Sequence, residues 1–68
     1  MIIERPFKFN PFKAVIYQKD GWIVKPAFVF IDMRETPNEI IFLIDTQGGE
    51  FSVSKNLIES IKIINTWP

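Results

Sequence analysis

Cysteine and histidine are both missing from this chain, and the two absences exclude a good deal. No disulfide can brace the fold, and a Cys/His zinc site has no ligands to use. The commonest general base is gone, and so is the commonest nucleophile after serine. Ser52, Ser54 and Ser60 have no visible base partner in the sequence. Neither G-x-x-x-x-G-K-[ST] nor G-x-G-x-x-G occurs, and the pair Gly48-Gly49 is accounted for by turn chemistry. No apolar run approaches the ~18 residues of a membrane span; the longest are Ala27–Ile31 and Ile40–Ile44. The opening Met1-Ile2-Ile3-Glu4-Arg5-Pro6 has no uninterrupted apolar stretch of the kind a secretory signal needs. Formal net charge is zero, which leaves no global field to draw the chain onto nucleic acid or an anionic membrane. The expectation is a soluble cytoplasmic protein with no cofactor, no metal, no membrane partner and no enzymatic activity. Turnover that scales with protein concentration and disappears in Asp32→Ala would overturn the last point.

What is present is apolar mass. The chain has 68 residues, 47% of them hydrophobic and 15% aromatic. That length gives one domain, and a domain of this size buries only about 60% of the surface its unfolded chain exposes. Without disulfides or zinc, stability must come from a very apolar core, a closed barrel or a partner subunit. So much apolar material in so short a chain also predicts some of it outside the core, as an interface. Charge is distributed unevenly. Arg5, Lys8, Lys13, Lys19 and Lys25 face only Glu4 and Asp20 in the first 25 residues, whereas acidic residues dominate the remainder. Asp32, Glu35 and Glu39 fall around one loop, and Asp45 and Glu50 flank another. They read as solvated loop charge rather than a carboxylate metal site.

Alternation and turn residues place the elements. Residues 1–11 read as an extended arm, because Pro6 and Pro11 exclude a helix interior and a central strand. Residues 12–65 form the body. Lys13 to Gln18 alternates as a strand, and Asp20-Gly21 after it signals a tight primed hairpin turn. Trp22 to Ile31 reads as a long second strand bent at Pro26, which cannot donate to a ladder. Arg34 to Asn38 reads as a polar loop, and Glu39 to Thr46 as a third strand apolar on both faces. Gln47-Gly48-Gly49 marks a turn, and Glu50 to Ser54 alternates with Phe51 and Val53 inward. The last segment has two readings. Ser54 caps a short helical turn near 54–59 that is followed by a closing strand at Ile61-Lys62-Ile63-Ile64, or residues 55–65 form one amphipathic helix. The moderate helix propensity of isoleucine favours the first.

This order, and above all Gly48-Gly49-Glu50-Phe51-Ser52-Val53-Ser54-Lys55 leading to Ile61-Lys62-Ile63-Ile64, resembles the SH3-like and Sm-like small barrels. The resemblance implies an all-β, five-stranded barrel. The alternative is an α+β fold, a four-stranded sheet with a C-terminal helix over 55–65. The resemblance carries no motif of a peptide groove, an aromatic cage or an RNA site, so it transfers no functional residue.

Two functions follow. The first is a non-enzymatic binding module working through protein–protein contacts, as adaptor, inhibitor or assembly subunit. It would self-associate, because the runs 27–31 and 39–44 are apolar on both faces, and a dimer is the default by symmetry. The second is binding of single-stranded nucleic acid or nucleotides by the arm. Arg5, Lys8 and Lys13 interleave with Phe7, Phe9 and Phe12, and aromatic faces stack on bases while cations neutralise phosphate. The competing reading makes the three phenylalanines core residues with the lysines pointing out by alternation. Tyr17 and Trp22 join the candidate binding set, on one barrel face with Phe28, because Tyr and Trp are enriched at binding hot spots; the competing and favoured reading makes them buried aromatics of a small core.

Overall fold

The computed structural model describes residues 2–4 and 11–66. Among them are seven strands: β1 (Ile2–Glu4), β2 (Phe12–Gln18), β3 (Ile23–Val24), β4 (Asp32–Glu35), β5 (Glu39–Leu43), β6 (Glu50–Ser54) and β7 (Ile58–Asn65). A single 3₁₀ turn, Lys55–Leu57, separates the last two. They make two sheets, ordered β1-β7-β2-β3 and β4-β5-β6. All neighbours are antiparallel except β1, which runs parallel to β7 with Ile3 opposite Ile61. The chain is therefore all-β, and no helix among the described residues is long and apolar enough to cross a membrane.

Alternation places the core. On β2, Phe12, Ala14 and Ile16 are buried, so Lys13, Val15 and Tyr17 stand on the opposite face. Their partners on β7, Ile61 and Ile63, are buried beside them. Ile40 and Phe42 of β5 close the core from the other sheet, and Phe30 fills the gap between the sheets. The Phe30 and Phe42 rings stack with centroids 4.8 Å apart, and Phe12 meets Phe30 at 5.8 Å. One polar atom sits among them without a partner, the Oδ1 of Asn65.

The turns follow from side-chain chemistry. Gln18 N–H donates to Trp22 C=O and Gly21 N–H to Gln18 C=O, which makes Lys19-Asp20-Gly21 a three-residue loop. Only Gly21 there has positive φ, at 92°. A primed two-residue turn would need positive φ at Asp20 as well, so the expected turn gives way to an ordinary turn closed by a left-handed glycine. In the second glycine loop, Asp45 Oδ1 accepts from the N–H groups of Gln47 and Gly49. A Cβ on Gly49 would lie 2.9 Å from Asp45 Oδ2, so that position has no room for a side chain while the carboxylate keeps its place.

Four expectations need correction. The long strand over 22–31 does not form. Only β3 and an isolated bridge between Phe12 and Phe30 remain of it, because Pro26 has no N–H for a ladder. The two sheets consequently do not close into the expected five-stranded barrel; the bridge is their one backbone ladder link among the described residues. The polar loop expected at 34–38 shrinks to 36–38. Asp32–Glu35 pairs with β5, and an ion pair of 3.0 Å from Arg34 to Glu50 spans the sheet. An edge strand tolerates such polarity because one side of it stays in water. The helix considered over 55–65 is excluded: Ile58–Asn65 pairs with β2 along its length, and the helical turn at 54–59 is the 3₁₀ turn. Ser54 occupies its N-cap position without a side-chain capping bond.

Candidate binding surface

The outward face of the four-stranded sheet is built by the same alternation that fills the core. Tyr17 lies opposite Ser60 on one side and Ile23 on the other, and Val15 lies opposite Lys62. Lys13 lies opposite Ile64. Lys13 and Lys62 are therefore diagonal neighbours on one face, roughly 7 Å apart by strand geometry. A hollow of about 290 Å³ opens over β7, lined by Tyr17, Ser60, Ile61 and Lys62. Among the described residues nothing hydrogen-bonds to the Tyr17 or Ser60 hydroxyl, and no carboxylate pairs with Lys62. Glu4, on β1, holds the register position beside Lys62.

A second surface is apolar. Residues 25–29 lie outside the ladders and lead into Phe30, bridged to Phe12, and Ile31, whose N–H donates to Leu43 C=O; Phe28, Val29 and Ile31 are 49%, 42% and 40% exposed. Phe28 also leans on Phe30 and Phe51, each at 6.5 Å between centroids. Trp22 at the tip of the β2–β3 hairpin is 73% exposed. Its N–H donates to Asp20 Oδ1 at 2.9 Å, which fixes the backbone while the ring stands in solvent. Leu57, also exposed, is tied to the loop of this hairpin by the bond from Lys19 N–H to Leu57 C=O.

The residues singled out from the sequence separate into three groups. Arg5, Phe7, Lys8 and Phe9 lie outside the described residues. Lys13 and Tyr17 share the outward sheet face, while Trp22 stands exposed at the hairpin tip. Phe12 is fully buried between Phe30 and Phe42, so its ring faces are committed to the core and cannot stack on a base. Ser60 and Lys62 escaped notice in the sequence, since a serine and a lysine in an isoleucine-rich strand read as ordinary solvent-facing positions. The signal lay in the register of β7 against β2.

The carboxylates have structural work. Asp45 caps its own turn, Asp32 Oδ1 accepts from Met33 N–H, Glu50 pairs with Arg34 and Glu35 with Lys55. No cluster that could hold a metal ion occurs among the described residues. No protein-family model matches the chain, and neither curated proteins nor solved structures give a match.

Proposed function

We propose that this chain is a non-enzymatic interaction module that self-associates through the apolar segment 27–31. The observation that carries this reading is the exposure of Phe28, Val29 and Ile31 close together in the chain, on either side of the buried Phe30. Scattered apolar residues on a surface need no explanation, but a contiguous group is what an interface offers. A second copy is the simplest cover, since a two-fold contact lays one such patch on another. An SH3-like or Sm-like affinity, with the barrel left open, fits the same picture. It is supported by β6, the 3₁₀ turn and β7 following one another in the order those barrels use. A cytoplasmic location belongs to this reading too. Sedimentation velocity over a wide concentration range tests it. The expected result is a mass that rises with concentration, and a shift back to the single-chain mass when Phe28→Ser and Val29→Ser are combined. A wild type that stays monomeric throughout would sink the reading.

A second reading is favoured by one specific observation: Lys13, Lys62 and Tyr17 share a single sheet face. Together with Arg5, Phe7, Lys8 and Phe9 of the arm they would suit single-stranded nucleic acid, by phosphate neutralisation and stacking. Titrating Trp22 fluorescence with mixed-sequence single-stranded RNA and DNA tests it. The expected result is a saturable change that weakens as salt rises, and indifference to salt would argue against it.

A further inference from the structure

The hollow over β7 combines features that neither strand would predict alone. Tyr17, Ser60 and Lys62, which bear two hydroxyls and one ammonium, line it together with Ile61. None of the three is engaged by another described residue. A cation with two neutral donors matches the acceptor-rich oxygens of a phosphate. Next to them the Tyr17 ring and Ile23 form a cross-strand row with an aromatic and an apolar surface. Lys13 extends the positive charge along the same face, past Val15 and Ile64. The volume, about 290 Å³, lies at the lower end of ligand sites (roughly 300–1,000 Å³). It suits one compact ligand and is too small to bury a polymer.

We propose that this hollow is a nucleotide site in which Lys62 and the hydroxyls of Ser60 and Tyr17 hold the phosphate and the Tyr17 ring, beside Ile23, receives the base. The proposal rests on the second reading above and narrows it from the arm to the sheet face. Lys13 then neutralises a second phosphate, whether that belongs to a nucleoside diphosphate or to the next link of a single strand.

Backbone amide shifts of the whole chain, followed by NMR during titration with adenosine monophosphate, inorganic phosphate, adenosine and octathymidylate, test the proposal. Monophosphate is expected to move the amides of Tyr17, Ser60, Ile61 and Lys62, and to bind at least fivefold tighter than phosphate or adenosine alone. Lys62→Gln should weaken it at least fivefold. Arg34→Gln removes the same charge from the other sheet and should leave it unchanged, with both variants checked for an undisturbed spectrum. Monophosphate shifts that avoid the hollow, equal affinity for phosphate and monophosphate, or an unchanged affinity in Lys62→Gln would each overturn the site. If monophosphate fails while octathymidylate binds with salt-sensitive shifts elsewhere, the hollow is wrong and the nucleic-acid reading survives. Silence from both removes both.

Discussion

Phe30 and Phe42 stack at 4.8 Å, Phe12 meets Phe42 edge-on at 6.2 Å, and all three are fully buried. In a chain with no cysteine, that cluster carries what a disulfide would carry in another small domain. Phe42→Ala should cost about 3–5 kcal/mol. Small domains have little more than that to lose, so urea unfolding should find the variant largely unfolded in water. Gly21 makes a different demand. Its φ of 92° is reached by other L-residues only with strain, and open space surrounds it. Gly21→Ala should therefore cost about 1–2 kcal/mol through the backbone alone. Gly49→Ala should destabilise through a clash with Asp45, and so lose its effect when combined with Asp45→Ala. Asn65 offers the opposite sign. Its Oδ1 is buried without a partner, and an unsatisfied acceptor costs about 1–3 kcal/mol. Asn65→Val should raise the urea midpoint; a lowered midpoint would mean that the amide holds something else in place.

Strands β2 and β7 form the longest ladder, pairing from Phe12 with Asn65 to Gln18 with Ile58, and both are interior strands of their sheet. β3, by contrast, pairs with β2 at only two positions, and no ladder contains residues 25–29. Local opening follows such differences in hydrogen bonding and burial. Amide exchange should therefore be slowest at the buried positions of the β2–β7 ladder and fastest from Lys25 to Val29. A protected 25–29 segment in concentrated solution that loses protection on dilution would report the proposed self-association directly. Much at this scale was legible beforehand. The strands at 13–18 and 50–54, both glycine turns and the helical turn before the last strand follow from alternation and turn residues. The sequence misled where one residue altered a long-range pairing. Pro26 looked like a bend in a strand and acts as the end of one. Asp32–Glu35 looked like a loop because its polarity hides an edge strand whose partner is β5.

For the molecule as a whole, charge decides little about stability. Among the described residues, the ion pair of Arg34 on β4 with Glu50 on β6, and that of Lys55 in the 3₁₀ turn with Glu35, have side chains that remain partly in water. Exposed pairs contribute about 0–1 kcal/mol. Arg34→Ala should shift the unfolding midpoint only slightly, and the shift should shrink further at high salt. Combining Phe28→Ser with Val29→Ser should cost the isolated chain about 1–3 kcal/mol, since about half of each side chain is already covered and the Phe28 ring lies against Phe30 and Phe51. A larger loss would mean that the segment serves the core rather than a partner.

By itself the sequence favoured the all-β class and placed the two glycine turns and the alternating faces of several strands, because these arise from interactions a few residues apart: alternation, a proline's missing N–H, a glycine's freedom. It also located the candidate surface in part, through Tyr17 and Lys13. Only the tertiary structure decided that β1 runs parallel beside β7, that the sheets stay unclosed, that Phe12 is core, and that Tyr17 meets Ser60 and Lys62 over one hollow. Those outcomes depend on register between segments 40 to 58 residues apart. A shift of one residue would send every side chain of β7 to the opposite face, and no local pattern records which register the packed core selects.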